Sequence, residues 1–522
     1  MSEEVKEECA VAAVHLKKQL SGFQLSGAAE ILYRLLLQQQ TRGQLSAGIT
    51  TFNSERPQLI NTYRDIGLVN EVFRASNEDK FRAIMQKFYG TSGIGHTRYA
   101  TFGKDSVAYA QPFERKHAIK WKWFSFAFNG NIANYFALKK HLEEKNYHFQ
   151  LDSDTEVIMH HIAYALRGDE KPGFVDVFSQ LAEDFDGAFN IVFVNAEGNI
   201  VLARDPHGIR PLSFGQNDDI LACASESAAL SHANVENIEP VKPGEMIQIN
   251  SNGSFEKRRF AKSPRTAHCM FEWVYFSNIA SEIDGKNVYQ VRYNLGKELA
   301  RLETEKITEE HIVVPVPDSA RTAADAFGLE LGVPIQEGLI RNRFVGRAFI
   351  ESNNRMEKVK AKYAINKSVL EGKKVFLVED SIVRGTTTRA IVEYIKKAGK
   401  ANEVHMRVSC PAIRFPCFYG IDMSTVSELI VSRHSKSNEI GFGDMPEETV
   451  KSIAKEIGAD SLIYQKIGGL LRAIGFDNGK NRLCLGCLTG KYPTRKGNEL
   501  VQIALENSGK GITTRTYEHA IP

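Results

Sequence analysis

The segment Val375–Val392, VFLVEDSIVRGTTTRAIV, constrains the fold more than any other stretch of the chain. Four apolar residues in a row, Val375 to Val378, suit a strand buried on both faces, and Ala390, Ile391, Tyr394, Ile395 and Ala398 then recur at helical spacing. The polar turn between them, Ser381 to Thr388, presents backbone N–H groups and the hydroxyls of Ser381, Thr386 and Thr387 at a helix N-terminus. Unpaired donors and the helix dipole favour a bound anion such as phosphate there. Arg384 and Gly385 help the turn close. Glu379 and Asp380 stand at the carboxyl end of the strand, where open α/β sheets bind ligands, and paired carboxylates at that place accept hydrogen bonds from sugar hydroxyls. Phosphate and sugar recognition therefore lie side by side.

A chain of 522 residues is too long for one ordinary core and is expected to form two large domains. With 43% hydrophobic and 25% charged residues it has the composition of a soluble globular protein. Its 66 basic and 63 acidic residues provide no field suited to nucleic acid, so small anions are the expected partners. No apolar run approaches the roughly 18 residues of a membrane span, and the start MSEEVKEE is acidic where a signal peptide is basic and then apolar. A cytoplasmic location and no membrane partner are expected. Seven cysteines, an odd number, read as thiols or ligands and not as a disulfide framework.

Cys9 follows a short acidic leader and precedes an apolar run, Ala10 to Val14, that is expected to form a strand. If Met1 to Glu8 were removed as a propeptide, the α-amino group of Cys9, with a reference pKa of about 7.7–8.0, could act as general base for its own thiol. Three further segments stand beside it: GIGHTRYATFG (Gly93–Gly103), FNGNIANY (Phe128–Tyr135) and DSDTEVI (Asp152–Ile158). Together they resemble a class II glutamine amidotransferase domain. The resemblance implies that Cys9 is the nucleophile and that Arg98 grips the glutamine α-carboxylate. It likewise gives Asp154 the α-amino group, and Asn129 with Gly130 the oxyanion hole. RDPHGIRPL (Arg204–Leu212), ASESAAL (Ala224–Leu230) and KPGE (Lys242–Glu245) continue the resemblance as scaffold and interface elements. His96, Asp205, His207 and Glu226 have no metal-ligand spacing and are expected to make structural hydrogen bonds.

In the second half, VVPVPDSARTAA (Val313–Ala324) is another strand, polar turn and helix start, with Asp318, Ser319, Ala320 and Arg321 in the turn. The opening segment and this one resemble the substrate loops of type I phosphoribosyltransferases. That resemblance implies that Glu379 and Asp380 hold the ribose hydroxyls of phosphoribosyl pyrophosphate and that Ser381, Arg384, Gly385, Thr386 and Thr387 hold its 5′-phosphate. Asp318, Ser319 and Arg321 would meet the diphosphate, with Mg²⁺ carried by Ser319, Glu379 and Asp380. Between the loops, residues 340–366 are dense in Arg and Lys and are expected to form a mobile basic loop that closes over the substrate, with Arg341, Arg347 and Lys362 as its cations. Cys269, Cys417, Cys484 and Cys487 match a four-cysteine pattern in one branch of the family that holds a [4Fe–4S] cluster. Four thiolates suit such a cluster or tetrahedral zinc equally well by chemistry, and Cys223 and Cys410 read as core residues.

From Cys9 to about Thr494 the order of these segments resembles the amidophosphoribosyltransferase family. The implied architecture is an αββα N-terminal-nucleophile glutaminase sandwich over residues 9–260, followed over 261–522 by a doubly wound parallel-sheet phosphoribosyltransferase domain with the cysteine-bearing segment and a tail. The implied activity is glutamine hydrolysis at Cys9 and internal transfer of ammonia to C1 of phosphoribosyl pyrophosphate, giving 5-phosphoribosylamine in purine synthesis. Purine nucleotide inhibitors and a homo-oligomer are implied by the resemblance alone. Ala10 and Ala320 stand where the family has glycine, TRGQLS (Thr41–Ser46) replaces an HRGQES-like segment, and Glu379 replaces Asp. A β-carbon at Ala10 or Ala320 is expected to crowd backbone that must approach a ligand. The alternative, a weakened nucleotide-sensing protein, has no use for Cys9, Arg98, Asn129, Gly130 and Asp154.

Overall fold

The computed structural model describes residues 9–18, 27–99, 106–342, 355–423, 425–435, 440–476, 478–512 and 516. In chain order the strands of the first half are β1 (Ala10–Leu16), β2 (Ser46–Phe52), β3 (Ile60–Ile66), β4 (Ser92–Arg98), β5 (Phe113–Arg115) and β6 (Phe124–Ile132). They continue with β7 (Gly187–Asn195), β8 (Ile200–Arg204), β9 (Ser213–Gln216), β10 (Ile220–Ala224), β11 (Glu236–Pro240), β12 (Glu245–Ile249) and β13 (Phe255–Arg259). These form two antiparallel sheets, one in the order β11-β9-β10-β1-β4-β2-β3 and the other β13-β12-β8-β7-β6-β5.

Period-two alternation makes them a sandwich. In β1, Val11 and Ala13 pack with Ala127, Val192 and Leu202 of the facing sheet, whereas Ala12 and Val14 pack with Leu32 and Leu36 of the helix Gly27–Gln38 outside it. In β6, Ala127 faces inward while Phe126 and Phe128 pack with Val157, Ile158 and Ile162 of the helix Asp154–Ala165 on the other outer face. The result is the αββα layering expected of a glutaminase domain.

The second half begins with short pieces: β14 (His268–Cys269) and the hairpin β15 (Glu282–Ile283) and β16 (Lys286–Asn287). It then builds β17 (His311–Pro315), β18 (Leu339–Arg341), β19 (Tyr363–Ile365), β20 (Lys374–Glu379), β21 (Glu403–Val408), β22 (Ser461–Tyr464) and β23 (Leu483–Cys484). A parallel sheet runs β17-β20-β21-β22. Ile312, Val314, Val375 and Leu377 face one hydrophobic core, and Val313, Phe376 and Val378 face another with Ala323 and Phe327 of the helix Arg321–Leu331. A strand covered on both sides needs apolar residues without alternation, which is what VFLV supplies. The helix predicted after that strand spans Thr386–Lys397.

The basic segment between the two loops is more ordered at its ends than its composition suggested. β18 and β19 pair antiparallel, Arg341 opposite Tyr363, and Arg355–Lys362 is a helix. Ile340 and Ala364 carry the ladder at the base of the loop, so charge density elsewhere in the segment does not prevent pairing there. Residues 343–354, Arg347 included, lie outside the described residues, as do Met1 to Glu8.

Candidate active sites

Pairing of β1 with β4 sets Ala10 opposite Thr97, which brings Cys9 beside Arg98 and Tyr99. The Cys9 thiol donates to the Tyr99 carbonyl at 3.5 Å, and the Tyr99 N–H reaches Sγ at 3.4 Å. Burial pushes the thiol up, Asp154 adds to the rise, and the Tyr99 hydrogen bond, Arg98 and Arg42 oppose it. Arg98, which closes β4, and Asp154, which opens the helix after its Ser153 cap, are both buried. Burial lifts the Asp154 carboxyl to about 7, although the Thr155 N–H, Arg98 and the Ile132 N–H all favour its charged form. A guanidinium and a carboxylate flanking a thiol suit a zwitterionic amino acid whose carboxylate meets Arg98 and whose ammonium meets Asp154.

Asn129 and Gly130 lie inside β6, opposite Asn190 and Phe189, so this Asn-Gly pair is not a hairpin turn. Gly130 has φ +151°, and a β-carbon there would stand 1.9 Å from the Ala188 oxygen, so only glycine fits. The Asn129 amide donates to Ser225 Oγ at 3.4 Å, and that oxygen also accepts from Val11 N–H at 3.0 Å. Asn129 is thereby tied to β1, the strand that follows Cys9.

His96 is buried and its Nε2 meets the Phe128 carbonyl at 3.2 Å. Burial, with Arg98 assisting, lowers its pKa to about 3, so it stays neutral and structural. Asp205 accepts from His207 and Ile209 N–H, and His207 Nδ1 meets the Arg265 carbonyl at 2.8 Å. Glu226 has a larger part than its sequence context suggested, because it belongs to a buried network centred on Arg42.

Arg42 carried no role in the sequence reading. Its Nε lies 3.4 Å from the Cys9 carbonyl, and its two terminal nitrogens pair with Glu226 at 3.0 Å and Glu272 at 2.8 Å. Arg210 Nη1 meets the same Glu272 oxygen, Oε1, at 3.4 Å. Burial alone would push Arg42 down, but the two carboxylates raise its pKa instead. Burial likewise raises Glu272 while Arg42 and Arg210 more than cancel that, holding it charged. Two cations and two anions with almost no solvent contact thus hold the backbone at Cys9. The RGQ match within TRGQLS was the available signal.

Ala10 and Ala320, the departures from glycine, adopt ordinary backbone conformations. Ala10 is an ordinary strand residue, and Ala320 has φ −81° and ψ −7°, a conformation open to any residue. Thr41 is exposed, and Leu45 contributes its backbone, which accepts from Gly67 and donates to Arg98.

On the parallel sheet, Pro315 of β17 is opposite Val378 of β20, so the two loops that follow them emerge together. Ser319 Oγ donates to Asp380 Oδ2, and Ser381 Oγ donates to Asp380 Oδ1 at 2.7 Å. Thr388 Oγ1 holds Glu379 at 3.0 Å. Gly385 has φ +79° at the helix start, and a β-carbon there would meet Ile430 at 2.3 Å. Thr386 Oγ1, in the first turn, is buried without a partner, as a hydroxyl awaiting an anion would be. Arg384 is turned to Glu428 at 2.7 Å, where it braces the loop. Arg341 pairs with Asp318 at 2.8 Å and Arg321 with Glu337 at 2.6 Å, while Lys362 Nζ lies 5.2 Å from the Tyr363 ring centre. Arg321 is the first residue of its helix and not part of the turn.

β14 and β23 pair parallel with Cys269 opposite Cys484, and the Arg414 and Phe415 N–H groups donate to the Cys487 carbonyl, which joins the segment leading to Cys417 to that of Cys487. All four are free, buried thiols. Burial pushes Cys269 up to about 11, with Cys417 contributing, and raises Cys484 and Cys487, where the neighbouring cysteines add to the rise. Among the described residues no three His, Cys, Asp or Glu side chains form a ready-made group for one metal ion. Also among them, no helix is long and apolar enough to cross a membrane. A cavity of about 640 Å³ lined by Asp186, His207, Arg265 and Arg495 contains none of the candidate site residues.

Residues 77–259 match the glutamine amidotransferase domain model. With the sandwich and the parallel sheet, this defines a glutamine amidotransferase joined to a phosphoribosyltransferase. The amidophosphoribosyltransferase of Methanothermobacter thermautotrophicus is 39% identical over 498 residues, covering 94% of this chain and 95% of its own, and that of Bacillus subtilis is 39% identical over 471 residues, covering 90% and 92%. A solved structure of the glutamine phosphoribosylpyrophosphate amidotransferase of B. subtilis, complexed with ADP and GMP, aligns with a TM-score of 0.80 at 36% identity over 94% of this chain and 98% of that one. The chain belongs to the amidophosphoribosyltransferase family.

Proposed function

We propose that Cys9, with its α-amino group freed by loss of residues 1–8, attacks the glutamine carboxamide and releases ammonia and a glutamyl thioester that water hydrolyses. Arg98 and Asp154 orient the amino acid, and Asn129 Nδ2 and Gly130 N–H stabilise the oxyanion. Ammonia then displaces diphosphate from C1 of phosphoribosyl pyrophosphate, giving 5-phosphoribosylamine, within residues 261–522, while residues 9–260 form the glutaminase. The reading rests above all on one observation: the pairing of β1 with β4 sets the half-buried Cys9 thiol against Tyr99 and beside the buried Arg98, on the same chain as the paired loops.

Glu379 and Asp380 are suited to the ribose hydroxyls, the Ser381–Thr387 turn to the phosphate, and Arg321, Arg341, Arg347 and Lys362 to the diphosphate. Arg341 would exchange Asp318 for the diphosphate as the loop closes. The contact between Ser319 and Asp380 and the neighbouring Glu379 fit a hard cation, and Mg²⁺ bound there would neutralise charge on the leaving group. The four buried thiols fit a [4Fe–4S] cluster, which would tie together the segments that carry Cys269, Cys417, Cys484 and Cys487. The B. subtilis structure holds ADP and GMP, which supports purine nucleotides as inhibitors of this chain.

Diphosphate release with glutamine or ammonia as donor tests the reading. Cys9→Ala is expected to lose the first and keep the second. No release from the native protein with either donor would refute it, and full activity in a protein whose mass retains Met1 to Glu8 would refute the free-amine step.

A further inference from the structure

Residues 417–420, from the second half of the chain, press on the oxyanion strand of the first. The Asn131 amide donates to the Phe418 carbonyl at 2.9 Å, both groups buried. Arg210 donates to the next carbonyl, that of Tyr419, through Nη2 at 2.6 Å and Nε at 3.1 Å. Gly420 has φ +106°, and a β-carbon on it would lie 3.3 Å from the carbonyl carbon and oxygen of Gly130 and 3.2 Å from Arg210 Nη2. The same short segment is anchored from behind, since Tyr419 N–H meets Cys417 Sγ at 3.4 Å and the Tyr419 hydroxyl meets Thr494 Oγ1 at 2.9 Å.

Two consecutive carbonyls of one half are therefore held by side chains of the other, next to the residue whose N–H is the oxyanion donor. Glycine has more backbone freedom than any other residue, so a Gly130 N–H aimed at a developing charge needs support from outside its own strand. On one side Gly130 is closed off by the Ala188 carbonyl, and on the other Gly420 lies so near that a single added methyl group would press on the Gly130 carbonyl.

We propose that Asn131 and Gly420 are positioning residues for the glutaminase oxyanion hole, so that the cysteine-bearing segment of the second half sets the geometry of the first-half site. The proposal rests on the glutaminase reading above. Preorganised donors act on the tetrahedral adduct and much less on bound glutamine, so kcat and KM separate.

The test compares native protein with Asn131→Ala and Gly420→Ala, measuring the glutamine- and ammonia-dependent rates, KM for glutamine, and inhibition by the γ-aldehyde analogue of glutamine, which forms a tetrahedral adduct with the thiol. The expected result is about a tenfold fall in glutamine-dependent kcat and in aldehyde affinity, with KM within about twofold and the ammonia-dependent rate retained. Equal loss with both donors would show a merely structural role and overturn the proposal, as would unchanged aldehyde affinity. Native protein inactive with both donors would instead overturn the proposed function. If either variant fails to fold the other carries the comparison, Asn131→Ala because it leaves the backbone unstrained and Gly420→Ala, strained at φ +106°, because it removes no hydrogen bond.

Discussion

Asp154 makes the pH dependence of glutamine use a quantitative test of the site. Its carboxyl rises from 3.8 to about 7 because burial outweighs the Thr155 N–H, Arg98 and the Ile132 N–H. At 1.36 kcal/mol per pH unit this corresponds to roughly 4 kcal/mol disfavouring the charged form in the empty site. The glutamine ammonium is charged below pH 7 and needs the carboxylate ionised, so capture of substrate weakens as pH falls through about 7. In the proposed mechanism the α-amine of Cys9, with a reference pKa of about 7.7–8.0, must be neutral to act as base and titrates in the same direction. Log kcat/KM for glutamine should therefore fall with a slope of two below about pH 6.5 in the native protein. In Asp154→Asn the slope should be one, with kcat/KM at pH 8 reduced by about 2 kcal/mol, or roughly 30-fold, for the lost charge-assisted hydrogen bond. Ammonia-dependent turnover, corrected for the fraction of NH₃, is the control. Identical slopes in the two proteins would refute this role for Asp154.

Replacing Glu272 by Gln leaves Arg42 and Arg210 buried with only Glu226 to balance them, and is expected to lower stability by about 3–5 kcal/mol in denaturant unfolding. A loss below about 1 kcal/mol would show that the network is solvated. Gly385→Ala forces a β-carbon toward Ile430 in a left-handed conformation, so KM for phosphoribosyl pyrophosphate should rise by about tenfold while glutamine hydrolysis without it is retained. Iron and sulfide analysis after anaerobic purification should give about four of each per chain, and stoichiometric zinc without iron would exclude the cluster.

Local chemistry was legible wherever one segment holds a complete unit. The VFLV strand and the following helix occur as read, because a strand buried on both faces and a helix stripe are patterns within a few residues, but the helix opens at Thr386, inside the Ser381–Thr388 stretch expected to be turn. The basic segment was read too simply: its density of charge hid the short ladder of Leu339–Arg341 with Tyr363–Ile365. Asn129–Gly130 has the composition of a turn, yet it runs in β6, because pairing with β7 overrides local preference.

The sequence by itself determined the two halves, their strand patterns and the residue types of both candidate sites, since motif spacing and hydrophobic period are carried by neighbours along the chain. Only the tertiary structure decided what surrounds them. Arg42, Glu226, Glu272 and Arg210 span 230 positions in their longest pairing, and the bond from Asn131 to Phe418 spans 287. Such contacts depend on how separate elements pack, and burial turns them from weak surface pairs into a network that holds Cys9 and the Asn129–Asn131 stretch of β6.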